Sequence, residues 1–304
     1  MPGSDRPRRA GETVKPADDA RQSRSEAAAR RLLLAHAYKG RKRFCPRCRD
    51  EKVYVLADGR LRCAACRYTF HELTGRFVNI GGLSCRDWLR LARLFAEEAT
   101  ASHMAEELGL AYNTVYRAVT VLRFAIVAGA PDAAQILFGE TGRAMGYDGG
   151  RIAMSRDMAT GGPIPVFGII ERPDWTFVDL VPDMRVEHVV HFNLSFSLKV
   201  ARLGKVVYTD RYQHYDALMF CGGDDVRRYA DILDRTPFLD TRQGGFWSFA
   251  QSRLRRYNGV SARRFPLYLK ELEFRYNHRN DDILPILLTY LCSLVPKREQ
   301  SDLF

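Results

Sequence analysis

The sequence predicts a multi-domain protein that combines a cysteine-rich unit, a helical unit and a mixed α/β unit. Three observations predict this fold class. The chain has 304 residues, which is enough for two or three domains. Four of its seven cysteines form two C-x-x-C pairs, and these are followed by a run of helical apolar periodicity. The second half then changes to short, strand-like apolar runs.

The chain is basic, and much of the excess charge lies near the N-terminus. The formal net charge is +11, and residues 1–43 contain 12 Lys or Arg against 5 Asp or Glu. Such a charge indicates a polyanionic partner, although a solvated tail would have the same composition. We therefore predict that residues 1–43 form a basic, largely disordered arm, with one short helix between Ser25 and Gly40.

Two features of the sequence bear on location. It has neither a secretory signal nor a run of 18 apolar residues, so we expect no membrane partner. The odd number of cysteines and their tight pattern favour a reducing compartment with thiolates bound to a metal. The expected location is the cytoplasm, in association with the nucleoid.

Residues 44–75 carry the pattern C-x2-C-x14-C-x2-C, which predicts a zinc ribbon. Each pair can form a tight turn, and a hairpin through Asp58 and Gly59 would bring the two turns together. Four thiolates complete a tetrahedron, so we expect a structural Zn²⁺; the alternatives are four ordinary buried cysteines or a redox dithiol. The expected zinc ligands are Cys45, Cys48, Cys63 and Cys66. Arg43 and Arg47, at the rim, are expected to contact phosphate.

Residues 84–127 predict a helix-turn-helix. The second of three helices would be capped by Thr100 or Ser102, and Gly109 would form the turn before the third. The start of the third helix is expected to read base edges in DNA. Its candidate contact residues are Tyr112, Asn113, Thr114, Tyr116 and Arg117. The alternative is a helical module that only packs in the core.

From Pro163 onwards the pattern predicts strands. A hairpin with its turn at residues 172–174 precedes a helix over residues 186–194 and a buried strand that ends at Asp210. An acid at the carboxyl end of such a strand is consistent with an α/β sheet of the RNase H-like type. An irregular stretch and two helices rich in aromatic residues follow. Their arginines are expected to be free for phosphate contact: Arg253, Arg255, Arg256, Arg263 and Arg264.

Together these residues resemble the insertion-sequence transposases of the zinc-ribbon DDE group, bacterial relatives of Merlin elements. The resemblance runs from about Phe44 to Arg279. Its motifs are C-P-x-C at Cys45–Cys48, P-V-F-G at Pro165–Gly168, T-D at Thr209–Asp210, F-W-S at Phe246–Ser248, Y-N-G-V at Tyr257–Val260 and E-F-R-Y-N-H-R at Glu273–Arg279. It implies an RNase H-like (DDE-type) domain over residues 136–296. It also implies a double-stranded DNA partner and a homodimer.

The family's chemistry uses three carboxylates to hold two Mg²⁺ ions during DNA strand cleavage and joining. This chain departs from that pattern. It reads G-E-T-G-R-A-M-G-Y-D-G-G where the family has G-E-x-x-x-D-E-x-Y-x-G-G, so Ala144 replaces the first carboxylate. Asp210 is retained as the second, Gly244 replaces the third, and Gln251 replaces a lysine. The resemblance therefore predicts a DNA-binding protein without strand-cleaving activity, which needs no Mg²⁺.

Two alternatives remain open at this point. An active transposase would need displaced acids, with Glu140 or Asp148 as the first carboxylate and Asp240 or Glu271 as the third. If the first segment is a strand, Asp148 would face the same side as residue 144, about 13 Å away. The chain could also be a non-functional relic of a mobile element.

Overall fold

The computed structural model describes residues 25–153, 166–172, 175–181, 201–203, 206–208, 215–220, 246–254, 256 and 264–297. Several sequence predictions lie outside these residues. They are the disordered part of the basic arm (residues 1–24), the helix over residues 186–194, the carboxylate positions Asp210, Asp240 and Gly244, and the arginines Arg255 and Arg263.

The helix predicted near the N-terminus is present as α1 (Glu26–Tyr38). The hydroxyl of Ser25 caps its first turn, and the helix ends at Lys39, which has a left-handed conformation with φ of +47°. The chain thus leaves the helix one residue before the predicted stop at Gly40. Ala29 in this helix is fully buried in the main hydrophobic core, so α1 is part of the folded unit.

Three short strands form the cysteine-rich unit, which is an antiparallel sheet in the order β1-β2-β3. They are β1 (Val53–Val55), β2 (Leu61–Cys63) and β3 (Thr69–Phe70). The predicted hairpin joins β1 to β2, and Gly59 in its turn has a φ of +79°. Leu61 and Phe70 form a small separate core with Cys45 and Cys63.

Three helices follow, in the segment predicted as a helix-turn-helix. They are α2 (Cys85–Ala96), α3 (Ala101–Leu108) and α4 (Tyr112–Gly129). The hydroxyl of Thr100 accepts a hydrogen bond from the backbone N–H of His103 and caps α3. Gly109 ends α3 in the left-handed conformation, with φ of +64°. Both capping predictions are confirmed, whereas the assignment of this helix pair to DNA binding stays a prediction.

The segment around Ala144 is helical rather than extended. It comprises α5 (Ala133–Phe138), α6 (Glu140–Met145) and a two-stranded hairpin of β4 (Tyr147–Asp148) and β5 (Arg151–Ile152). Glu, Arg, Ala and Met are all good helix formers, and they dominate α6. Gly146 ends α6 with a φ of +97°, which only glycine adopts at little cost. Ala144 therefore does not share a strand with Asp148.

The larger sheet has five strands in the order β7-β6-β10-β9-β8, and all its described pairings are antiparallel. The strands are β6 (Val166–Arg172), β7 (Trp175–Val181), β8 (Ala201–Leu203), β9 (Val206–Tyr208) and β10 (Tyr215–Phe220). The predicted β6–β7 hairpin is confirmed, with Arg172 opposite Trp175. Strand β10 occupies part of the stretch predicted to be irregular. An RNase H-like arrangement stays a prediction.

Three helices complete the described chain, and one of them closes the edge of the large sheet. They are α7 (Phe246–Leu254), α8 (Phe265–Asn277) and α9 (Ile283–Leu291). The side-chain amide of Asn277 bonds both the N–H and the C=O of Thr176 at 2.7 Å. The carboxylate of Glu273 accepts a hydrogen bond from the N–H of Val178 at 2.8 Å. Side chains of α8 thus satisfy backbone groups of the edge strand β7.

Helix α4 lies at the centre of the main core and packs against α2, α3, α5, α8 and α9. Residues 118–127 of α4 are all buried. Helix α9 also packs against α1 and α2, so one hydrophobic cluster runs from Ala29 to Val295. The segments predicted as the arm helix, the helix-turn-helix and the α/β domain share this core. None of the described helices has the length and apolar character required to cross a membrane.

Candidate metal centre and nucleic-acid interface

The four cysteines of the ribbon converge on one point. Their Sγ atoms all lie within 4.8 Å of one another, with 3.6 Å between Cys45 and Cys66 and 3.5 Å between Cys48 and Cys63. Four sulfurs around a tetrahedral zinc ion, each at about 2.3 Å, would be about 3.8 Å apart. The thiols therefore fit a closed zinc site. Within the described residues they are the only group of three or more potential metal ligands.

The backbone of each C-x-x-C turn is shaped to support thiolates. The N–H of Arg47 points at Cys45 Sγ at 3.4 Å, and the N–H of Cys66 points at Cys63 Sγ at 3.5 Å. The residue after each pair is an arginine in the left-handed region, with φ of +66° at Arg49 and +60° at Arg67. Glycine is the residue that favours this conformation. The arginines at these two positions therefore do not reveal the left-handed turns in the sequence.

One acid anchors the ribbon to α1. Glu72 forms ion pairs with Arg30 at 2.8 Å and with Arg43 at 2.7 Å. Arg43, predicted to contact phosphate, therefore has a carboxylate partner in the structure, and its side chain is half exposed. Arg47 is exposed on the first cysteine turn.

The start of α4 presents most of its predicted contact residues to solvent. Asn113 and Arg117 are exposed, and Tyr112 is 45% exposed. Thr114 and Tyr116 are half-buried. Because the rest of α4 is buried, any base contact from this helix has to come from its first two turns. This is the part of a recognition helix that normally enters the major groove.

An arginine from the C-terminal half adjoins this helix start. Arg264 donates a hydrogen bond from Nη1 to the hydroxyl of Tyr116 at 3.2 Å, and another from Nη2 to the carbonyl of Ala153 at 3.5 Å. The ring of Tyr112 stacks on that of Tyr116, with 6.1 Å between their centroids. Two tyrosines and one guanidinium therefore lie together at the exposed end of α4.

Two other arginines that the sequence predicts to be free are paired. Arg253 contacts the carboxylate of Glu98 at 2.8 Å, and Arg256 contacts the other oxygen of the same carboxylate at 3.2 Å. The prediction that these two guanidiniums are free is therefore wrong. The sequence could not show this pairing because about 155 residues separate Glu98 from Arg253.

The positions at which the sequence predicts catalytic residues form no acidic cluster within the described part of the chain. Ala144 is half-buried in α6, and its methyl group offers no ligand. Gln251 lies in α7. Asp148, one of the candidate substitutes, is exposed in β4.

Glu271, another candidate substitute, is bound by two arginines. It accepts a hydrogen bond from Arg123 Nε at 2.6 Å and one from Arg275 Nε at 2.8 Å, and all three side chains are buried. Burial alone would raise the pKa of Glu271, but the two guanidiniums outweigh burial and lower it. Both oxygens of this carboxylate are therefore engaged. The hypothesis that Glu271 serves as a displaced metal ligand is not supported.

A second buried network joins the same helix to the sheet. Lys270, which is 1% exposed, contacts Asp132 and Glu273, both at 2.9 Å. Burial raises the pKa of Glu273, and the adjacent Lys270 only partly offsets this effect. These acids hold α8, β7 and the start of α5 together. The described residues therefore do not supply the carboxylate set that Mg²⁺ requires.

The chain joins a cysteine ribbon to a helical core and an antiparallel sheet, and comparison with known families indicates proteins of DNA transposition. Residues 24–69 match a family model described as a transposase zinc-ribbon domain. Residues 142–277 match a model described as an ISXO2-like transposase domain. Together the two matches cover more than half of the chain. The chain therefore carries the two domains that these models describe, a transposase zinc ribbon followed by a DDE transposase domain.

A protein of Haemophilus influenzae described as transposase-like is similar to part of the chain. The two are 35% identical over 80 residues, which correspond to 24% of this chain and 60% of the relative. The chain thus matches less than two thirds of that relative's length. No solved structure matches the chain.

Proposed function

We propose that this protein binds double-stranded DNA site-specifically through its zinc ribbon and the start of α4, and that it does not cleave or join DNA strands. The observation that carries the proposal is that two buried arginines form ion pairs with Glu271. Ala144 stands where the family has its first carboxylate, and Glu271, one candidate for the third, is neutralised by two buried arginines. Arg47, Asn113 and Arg117, which we propose to contact DNA, are in contrast exposed.

The binding half of the proposal rests on charge and exposure. The formal net charge of the chain is +11, which favours association with a polyanion. Arg47 on the ribbon and Asn113 and Arg117 on α4 are exposed side chains that can donate hydrogen bonds to phosphates or base edges. The cluster of four cysteines fits a structural Zn²⁺, which would hold the ribbon's shape without taking part in chemistry.

The inactive half rests on the chemistry of two-metal catalysis. Mg²⁺ takes hard oxygen ligands, and two ions close together need several carboxylates that are not already neutralised. Ala144 cannot provide one, and Glu271 is engaged at both oxygens. The proposed role is that of a DNA binder or regulator on the nucleoid, and the family resemblance implies that it acts as a homodimer on paired sites.

The first experiment measures DNA binding. Zinc-loaded protein selects its preferred duplex from a random library, and affinity for that duplex and for a scrambled one is then followed by fluorescence anisotropy across a salt series. We expect preference for the selected duplex and a logarithmic affinity that falls with logarithmic salt concentration, by about 0.9 for each phosphate contacted. A slope near zero would refute binding dominated by phosphate contacts.

The second experiment tests catalysis on the same DNA. The protein is incubated with duplexes that carry the selected site, in Mg²⁺ or in Mn²⁺, and products are resolved on denaturing gels. We expect no nicking and no strand transfer. Metal-dependent products that Asp210→Ala abolishes would overturn the inactive half of the proposal and support the displaced-acid alternative.

A further inference from the structure

Glu98 lies in a strained conformation between α2 and α3. Its φ is +60°, in the left-handed region where glycine is favoured. The N–H of Glu98 bonds the carbonyl of Phe95, and the N–H of Ala99 bonds that of Leu94, which is the pattern that ends many helices at a glycine. A glutamate in this position needs other interactions to offset the backbone strain.

Two arginines from the end of α7 supply those interactions. Arg253 donates from Nε and Nη2 to one carboxylate oxygen of Glu98, at 3.0 and 2.8 Å. Arg256 donates from Nη1 to the other oxygen at 3.2 Å, and from Nη2 to the main-chain carbonyl of Glu98 at 3.0 Å. The three formal charges leave the cluster with a net charge of +1. Two guanidiniums that converge on one anion are also the arrangement that binds a phosphate group.

The cluster is open to solvent, and one arginine is held in place without Glu98. The side chains of Glu98 and Arg253 are 27% and 25% exposed, and that of Arg256 is 50% exposed. The Arg253 guanidinium stacks on the ring of Phe249 at 3.6 Å and also donates to the carbonyl of Phe249. That ring in turn packs edge-on against Tyr276. The guanidinium would therefore stay close to its present position if the carboxylate left.

The cluster also borders the segment predicted to bind DNA. Glu98 lies two residues before Thr100, the cap of α3. The N-terminus of a helix carries unpaired N–H groups and a partial positive charge, so an anion held next to α3 would be stabilised further.

We propose that Arg253 and Arg256 form a binding site for a phosphate of the DNA backbone, and that Glu98 occupies this site in the free protein. The inference rests on the proposed DNA-binding function and adds a regulatory contact to it. DNA binding then requires the phosphate to replace the carboxylate. Every duplex has to displace the Glu98 carboxylate, so Glu98 weakens binding to all DNA. Only sites that make enough other contacts with the protein are then bound tightly.

The test replaces Glu98 by glutamine and measures duplex affinity across a salt series. Glu98→Gln removes the negative charge and keeps the size of the side chain. We expect about fivefold tighter binding, the factor that corresponds to the ~1 kcal/mol upper range of a part-exposed ion pair. We also expect the salt dependence to steepen by up to about 0.9, because the displaced carboxylate of the wild type takes up a cation on DNA binding and the glutamine does not.

The matched control is Glu97→Gln. Glu97 is exposed and adjacent in sequence, and within the described part of the chain it makes no ion pair. The substitution changes the net charge by the same amount, so it measures the general electrostatic effect alone. We expect a change of less than about twofold and an unchanged salt slope. Equal effects of the two substitutions would overturn the inference.

A second variant guards against misfolding. Glu98→Gly suits the left-handed backbone, so it should fold at least as well as the wild type and also bind DNA more tightly. Arg253→Ala combined with Arg256→Ala should abolish the gain from Glu98→Gln, and a gain that survives their loss would refute the site. A wild-type protein that binds no DNA would refute the proposed function itself, which separates the two failures.

Discussion

The zinc ribbon and helix α8 place potential metal ligands in opposite surroundings. In the ribbon, the Sγ atoms of four cysteines lie within 4.8 Å of one another and converge on one point. In α8, Glu271 is an acid in a potential substitute position, but Arg123 and Arg275 occupy both its oxygens. The comparison shows that a metal site depends on ligands that face one another. An acid that faces cations is a structural element of the core.

The largest expected effect comes from the ribbon. Cys63→Ser should release the zinc and unfold the ribbon, because structural zinc contributes roughly 10 kcal/mol or more to the folding of such units. DNA affinity should fall with it. The measurement is the zinc content per chain by mass spectrometry after gel filtration.

The control for this prediction is Cys85→Ser. Cys85 is half-buried and lies outside the cluster. Burial, followed by the adjacent Glu26, raises its pKa to about 11, so it is a poor thiolate at neutral pH. The variant should keep one zinc per chain. Retention of stoichiometric zinc by Cys63→Ser would contradict the four-cysteine site.

The next largest effect concerns the buried acid of α8. Glu271→Gln should lower the free energy of unfolding by about 3–5 kcal/mol, because it leaves two buried guanidiniums without a counter-charge. Urea denaturation followed by circular dichroism measures this loss. The exposed Glu107→Gln is the control and should change stability by less than about 0.5 kcal/mol. A stable Glu271→Gln protein would reopen the metal-ligand hypothesis for this residue.

The pH dependence of stability tests the same ion pairs of Glu271. The pKa of Glu271 in the folded protein lies below its ordinary value of 4.5, so its stabilising contribution is complete above that value. The contribution is lost as the pH falls through the folded pKa. As the pH is lowered from about 5, the free energy of unfolding should therefore fall more for the wild-type protein than for Glu271→Gln. Because both proteins carry the same ribbon, acid release of zinc cancels in the comparison. Parallel stability curves would contradict the assigned ion pairs.

A smaller effect is expected at the start of α4. Arg117→Ala should weaken binding to the selected duplex by about 1–3 kcal/mol and reduce discrimination against the scrambled one, if Arg117 contacts a base edge. Competition binding assays with both duplexes measure the two quantities. Arg143→Ala, which removes an exposed arginine of α6, is the control for charge. Equal weakening on both duplexes would mean that Arg117 contacts only the backbone.

The smallest effect is expected at the turn between α3 and α4. Gly109→Ala should cost about 1 kcal/mol of stability, because the residue has a φ of +64° and an added Cβ would meet no atom within 4 Å. Only the backbone conformation is penalised. Gly109→Asn should cost less, since asparagine tolerates this conformation better. Thermal unfolding compares the variants, and equal losses would show that the turn is not left-handed in solution.

Local signals account for the features that the sequence predicted. The cysteine spacing, the Asp58-Gly59 turn, Thr100 and Gly109 each act within a few residues of the fold they define. The ribbon and the caps of the helices are therefore predictable from short stretches of sequence. The positive φ values of Arg49 and Arg67 are not, because both positions are filled by residues that normally avoid that conformation.

Non-local contacts account for the features that the sequence did not predict. Arg123 interrupts an otherwise apolar part of α4. Its partner Glu271 lies 148 residues later in the chain, so the sequence around Arg123 does not reveal the ion pair. Strand β10 has strand-favouring residues only at its ends, Tyr215 and Phe220, and the Asp, Ala, Leu and Met between them depend on pairing with neighbouring strands. The packing of α9 against α1 likewise depends on contacts between distant parts of the chain.

The contacts of α8 with strand β7 have a consequence for self-association. An exposed edge strand offers unpaired N–H and C=O groups on which another chain can add a strand, which is a common start of aggregation. Asn277 and Glu273 already bond the backbone groups of Thr176 and Val178. An incoming strand would have to displace an amide and a buried carboxylate before it could pair there. Growth of the sheet from one molecule into the next is therefore blocked at these positions.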